Sequence, residues 1–168
     1  MKRLAWIAAL SALSLPALAQ SGAATAVMKD QSGTTLGTLS LADTDGGVSI
    51  TGELTGVPNG PHGFHIHETG TCDAGTQFES AGGHFNPDDD MHGLENPEGP
   101  HAGDLQNVTA DADGNAVIEL TNTMVSIESL MDADGSALVL HENADDQMTD
   151  PSGNSGARFA CGVIKGAM

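Results

Sequence analysis

His65 and His67 stand two residues apart in Gly63-Phe64-His65-Ile66-His67, and on an extended strand that spacing turns both imidazoles to one face. A pair of metal ligands is thereby ready-made. Candidate partners follow along the chain: His84 in Gly82-Gly83-His84-Phe85-Asn86-Pro87, then His92, His101 with Asp104 in a His-x-x-Asp unit, and His141 closing the apolar run Leu138-Val139-Leu140. Three imidazoles with one carboxylate make a closed tetrahedral set suited to zinc. Histidines on two strands, with no thiolate or thioether placed beside them, make an all-nitrogen set suited to Cu(II). The chain offers too many ligands for a single ion, and residue types alone do not divide them between two. His62, at odd spacing from His65, belongs on the opposite face of the strand.

The elements that must position these residues alternate apolar with small or polar side chains, a period of two that predicts strands. Three are expected within residues 23–56, separated by the turn sequences Asp30-Gln31-Ser32-Gly33 and Asp43-Thr44-Asp45-Gly46-Gly47. A strand carrying His65 and His67 comes next. Others are expected at Asn107-Val108-Thr109-Ala110, Ala116-Val117-Ile118-Glu119-Leu120, Met124-Val125-Ser126-Ile127, Ala137-Leu138-Val139-Leu140-His141 and Phe159-Ala160-Cys161-Gly162-Val163-Ile164. Eight or so short strands with no clear helix predict an all-β sandwich or barrel. Asp-x-Asp-Gly at Asp111 and Asp132 lacks the closing Glu of a calcium loop, so both read as turns.

Two stretches interrupt this pattern. Residues 68–106 are rich in Gly, Asn, Asp and Pro and poor in aliphatic side chains, so apolar burial is not expected to order them. A metal and Cys72 are expected to do so instead. A second loop spans residues 142–158.

Residues 1–19 read as a cleaved secretory signal: Lys2 and Arg3, an apolar run, Pro16, and a small-x-small site at Ala17-Leu18-Ala19. The run is too short to span a membrane. Residues 20–168 then form one domain of ordinary single-core length. Export places Cys72 and Cys161, the only cysteines, where a disulfide persists. Closing a loop of roughly 90 residues is worth about 4.5 kcal/mol in the chain-entropy model. Without the signal, Lys29, Arg158 and Lys165 stand against 23 acidic residues, a surface that repels nucleic acid and anionic lipid. Such an acidic, lysine-poor surface also suits a habitat of high salt.

The motifs Gly63-Phe64-His65-Ile66-His67-Glu68, Ser80-Ala81-Gly82-Gly83-His84-Phe85-Asn86-Pro87, His101-Ala102-Gly103-Asp104-Leu105, His141-Glu142 and Gly153-Asn154-Ser155-Gly156-Ala157-Arg158 occur in this order. Together they resemble the copper/zinc superoxide dismutase family in its exported bacterial form, over roughly residues 47–166. The resemblance implies an eight-stranded Greek-key flattened barrel, an immunoglobulin-like sandwich with two long functional loops. It further implies copper on His65, His67, His84 and His141, and zinc on His84, His92, His101 and Asp104, with His84 shared. Asp145 would accept hydrogen bonds from His65 and His92 and so couple the two sites. Arg158 would stand at the mouth of the copper channel, Cys72 would pair with Cys161, and His84 would return a proton during turnover. The implied reaction is dismutation of superoxide in the periplasm, one copper and one zinc per subunit, with neither monomer nor homodimer selected. The competing reading is a copper or zinc buffer of the cell envelope that uses the same ligands without turnover.

The chain departs from the family in one respect that bears on rate. Members commonly carry lysines after the last copper ligand, whereas residues 142–157 here contain no Lys or Arg and include Glu142, Asp145, Asp146 and Asp150. Added salt shortens the range of such fields, to about 3 Å at 1 M. The dismutation rate is therefore expected to stay level or rise between low and molar salt, and a steep fall would contradict that expectation.

Overall fold

The computed structural model describes residues 22–167, so the expected signal peptide lies outside the described residues. Nine strands and one short helix follow in the order β1 (Ala23–Asp30), β2 (Thr35–Thr44), β3 (Gly47–Thr55), β4 (Gly60–His62), β5 (Phe64–His67), β6 (Val108–Ala110), β7 (Asn115–Asn122), α1 (Ile127–Leu130), β8 (Ala137–His141) and β9 (Arg158–Gly166). They make one antiparallel sheet, ordered β4-β6-β7-β3-β2-β1-β9-β8-β5. No helix among the described residues is long and apolar enough to cross a membrane.

The sheet's two ends are β4 and β5, and only Gly63 separates them in sequence. The chain therefore passes from one end of the sheet to the other in a single residue, which closes the barrel. Gly63 spans the join: its N–H donates to the Asn143 carbonyl at 2.8 Å and its carbonyl accepts from His141 N–H at 2.9 Å. Counted as one broken strand, residues 60–67 bring the total to the expected eight.

Alternation along each strand fills the interior. On β1, Ala24, Ala26 and Met28 point inward; Leu39 and Leu41 of β2, Val48 and Ile50 of β3, and Ile118 of β7 meet them. β5 and β8 break the pattern by being buried on both faces. Phe64, Ile66, Leu138 and Leu140 fill the barrel, while His65, His67, Ala137 and Val139 face outward under the long loop of residues 68–106. Burial of that outer face is what lets a strand carry histidines without exposing them to water.

Two expectations are corrected. Residues 124–127 do not form a strand: Ser126 caps α1, its hydroxyl accepting from Ser129 N–H at 3.1 Å while Ser129 Oγ accepts from Ser126 N–H at 3.0 Å. These hydroxyls satisfy backbone donors locally, so the segment has no need of a ladder partner. The long loop, in turn, does possess a core of its own. Phe78 and Ala81 pack with Ala137, Val139 and Cys161 into a second apolar cluster, against which Cys72 rests, and the Cys72–Cys161 disulfide joins loop to β9. The Asp111 and Asp132 units are turns, as expected, with each carboxylate accepting from backbone N–H groups two to four residues on.

Candidate metal centre

Beyond β8, the free edge of β5 is covered by the long loop itself. Ile66 N–H donates to Gly103 C=O at 2.8 Å, Phe85 N–H donates to Ile66 C=O at 2.8 Å, and Gly103 N–H donates to Phe85 C=O at 2.7 Å. Two isolated bridges result, His65 with Asp104 and His67 with His84. Residues far off in sequence, His84 and Asp104, thus come beside the His65–His67 pair through backbone register. Gly103 is required for this approach, because a Cβ there would overlap the Ile66 carbonyl.

Four imidazole nitrogens converge on one point: His65 Nδ1, His67 Nε2, His84 Nε2 and His141 Nε2. All are buried without a hydrogen-bond partner, and the four residues can place ligand atoms within 4.8 Å of one another. The far nitrogen of each ring is held. His65 Nε2 donates to Asp145 Oδ2 at 2.6 Å, His67 Nδ1 to the Gly82 carbonyl at 3.0 Å, and His141 Nδ1 to the Gly156 carbonyl at 3.2 Å. Because a carbonyl or carboxylate only accepts, these contacts fix the tautomer and leave a lone pair on each converging nitrogen. Such a set fits a copper ion by donor chemistry and by its otherwise uncompensated burial.

His84 presents its other nitrogen to a second cluster. Asp104 Oδ1 lies 2.8 Å from His84 Nδ1, 3.0 Å from His92 Nδ1 and 3.3 Å from His101 Nδ1. Asp104 Oδ2 accepts from the backbone N–H groups of Gly93 at 2.8 Å and His101 at 3.0 Å, which sets the carboxylate's orientation. Three imidazoles and a carboxylate, all buried, are the donor set a structural zinc ion takes.

Asp145 links the clusters, its Oδ2 on His65 and its Oδ1 3.0 Å from His92 Nε2. Its position depends on residues to which the sequence assigns no role. Asn107 clamps its backbone on both sides, accepting from Asp145 N–H and donating to Asp145 C=O, each at 2.8 Å. Gly153, at φ +62°, passes so close that a Cβ would overlap Asp145 Oδ1. His62 also stands apart from the converging nitrogens, as its odd spacing implies, but it is buried rather than idle: its ring lies 2.9 Å from the His141 carbonyl and 2.7 Å from that of Pro58. It thereby steadies the backbone of His141. A histidine three before the pair carried the only signal for this role.

Arg158 enters beside the four converging nitrogens, its guanidinium donating to Phe78 C=O at 2.6 Å and Gly82 C=O at 2.7 Å. It lines an open funnel of about 450 Å³ with His67, His84, His141, Glu68 and Glu79. Among the described residues no other Lys or Arg lines that funnel. Lys29 and Lys165 both border a separate groove over β1, β9 and the disulfide.

Burial governs the protonation of the centre. Desolvation lowers His65 to about 3 despite its bond to Asp145, lowers His141 to about 4, and holds His67 and His84 below the ordinary range. His92 is also desolvated, yet its hydrogen bonds to Asp104 and Asp145 outweigh burial and raise it to about 9. Both carboxylates resist burial through those same bonds and are held well below the usual range. For the metal-free protein the signs follow from linkage. Below about pH 6.5 the unfolded chain takes up protons that native His141 and His65 refuse until about pH 4 and 3, so stability falls with falling pH across that window. The His92 contribution is complete below about pH 6.5 and is lost as pH rises toward 9. Chemical denaturation of metal-free protein from pH 4 to 9 should therefore show greatest stability near pH 6.5. A monotonic rise to pH 9 would contradict the assigned hydrogen bonds.

Comparison with known proteins agrees with this geometry. The family model for copper/zinc superoxide dismutase matches residues 35–164. A protein named superoxide dismutase [Cu-Zn] 1 from Aquifex aeolicus is 43% identical over 166 residues, covering 95% of this chain and 98% of that one. One from Caulobacter vibrioides is 45% identical over 150 residues, covering 84% of this chain and 85% of the other. Among solved structures, a SOD-like protein from Bacillus subtilis superposes with a TM-score of 0.79 at 39% identity, over 84% of this chain and 97% of that chain. The Cu/Zn superoxide dismutase from Brucella abortus gives 0.70 at 29% identity, over 85% and 99%. On a match that spans most of its length, with relatives well above 30% identity, the chain belongs to the copper/zinc superoxide dismutase family.

Proposed function

We propose that the protein dismutates superoxide to dioxygen and hydrogen peroxide in the periplasm. Copper would be held by His65, His67, His84 and His141, and zinc by His84, His92, His101 and Asp104. The observation that carries this reading is the set of four buried, unpartnered nitrogens, three of them on histidines that line a funnel in which Arg158 is the sole Lys or Arg among the described residues. A bound copper ion supplies the one-electron chemistry that lets one superoxide be oxidised and the next reduced, so two like-charged radicals never have to meet.

The chain's own residues supply the rest. Arg158 provides positive charge where a small anion arrives, and its two backbone acceptors keep the guanidinium from swinging away. His84 is placed to move a proton at Nε2, because Nδ1 is anchored toward Asp104 while Nε2 belongs to the other cluster and has no partner. Burial lowers the affinity of that ring for a proton, against the pull of Asp104. A proton carried at Nε2 would be handed from there to reduced dioxygen. Asp145 holds His65 and His92 in fixed orientation, and the loop anchored by Phe78 brings the Arg158 acceptors to the funnel wall.

A metal buffer would employ the same nitrogens but gains nothing from a guanidinium locked into the mouth of the funnel. The disulfide-bonded protein loaded with copper and zinc should turn over superoxide rapidly. His141→Ala should reduce that to background, and Arg158→Ala should lower kcat/KM at least about tenfold with copper content unchanged. Full loading of both metals without turnover would overturn the reading in favour of storage.

A further inference from the structure

Glu79 stands against the only cation of the funnel. Its Oε2 lies 3.5 Å from Arg158 NH2, and the side chain is 72% exposed where Arg158 is 13% exposed. The backbone beneath it has little freedom. Glu79 directly follows Phe78, which is buried in the second core and whose carbonyl accepts from Arg158, and Ala81 two residues later is fully buried. A mobile carboxylate is thus mounted on a fixed stem within reach of the guanidinium. Two of the five N–H donors of Arg158 are spent on Phe78 and Gly82, leaving three for an anion. Of the other acids lining the funnel, Glu68 accepts from Gly83 N–H at 2.9 Å, and neither it nor Asp89 pairs with Arg158.

We propose that Glu79 is a tethered competitor for Arg158: its carboxylate stands 3.5 Å from the guanidinium that an incoming anion needs and must give way each time one binds. This inference rests on Arg158 being the anion-receiving group of the proposed reaction. It assigns Glu79 a positioning role in anion selection, since it acts on substrate only through the guanidinium. A long contact to a carboxylate this exposed is weak, so displacement is easy and the effect is a modest brake rather than a block. Salt screens the carboxylate and the substrate alike, and the brake is greatest at low ionic strength.

The test is a double-mutant cycle between Glu79→Gln and Arg158→Ala in the copper- and zinc-loaded protein. Two readouts serve: kcat/KM for superoxide, and the affinity for inorganic phosphate measured by calorimetry. Glu53→Gln, an exposed acid on β3, controls for the same change in net charge. At low salt Glu79→Gln should raise kcat/KM and tighten phosphate by about two- to fivefold. Both gains should shrink at high salt and vanish in the Arg158→Ala background, and Glu53→Gln should give neither. Equal gains from Glu53→Gln, persistence without Arg158, or no gain at all would each overturn the proposal. If the loaded protein does not turn over superoxide, the dismutation reading fails, while the phosphate titration still decides the role of Glu79.

Discussion

Four lone pairs buried together without partners set the terms for the structure around them. A buried polar atom left unsatisfied costs about 1–3 kcal/mol, so the nitrogens of His65, His67, His84 and His141 together oppose a large share of the roughly 5–15 kcal/mol that a domain has in hand. Metal ligation reverses the sign of that contribution, since binding to a folded site is worth on the order of 10 kcal/mol. The apolar barrel and the disulfide must therefore hold the site's shape independently of the ions. Phe64, Ile66, Leu138 and Leu140 on the inner faces of β5 and β8 anchor the strands whose outer faces carry the ligands.

The same constraint accounts for the long loop. A loop of residues 68–106 would lose its order easily if it lay on water alone, yet it must deliver His84, His92, His101 and Asp104 to sub-ångström positions. Three devices act together: the second core around Phe78 and Ala81, the bond from Cys72 to Cys161, and backbone pairing of Gly103 and Phe85 with Ile66. Asp145 then fixes the His65 and His92 rings from outside the two ligand sets. Arg158 is held by carbonyls of this same loop, so order in the loop and charge at the funnel are one arrangement.

Much of this was legible in the sequence. Alternation gave the strands on both sides of the histidine pair, and the ligand residues were visible by type because imidazoles and a His-x-x-Asp unit have few other reasons to crowd one domain. The division of His84 between two clusters was implied only by the family resemblance, because it depends on which edge of β5 the loop covers, and no local spacing encodes that. Met124-Val125-Ser126-Ile127 misled because its apolar residues resemble a strand while its serines cap a helical turn. The second core escaped notice because its members are scattered, with Phe78 and Ala81 in one loop and Val139 some sixty residues away. Asn107 carries no chemical signature, and Gly153 stands in the motif ending at Arg158 without an assigned role; their contacts with Asp145 reveal what both do.

The central claim is that His84 serves both ligand sets through one ring. The most direct test is the Cu(II) electron paramagnetic resonance spectrum of copper-loaded protein titrated with zinc. A shared imidazole predicts that the copper signal changes in step with zinc and is complete at one equivalent. A copper spectrum that stays the same through full zinc occupancy would contradict it, and would mean that the two ions are held on separate ligands.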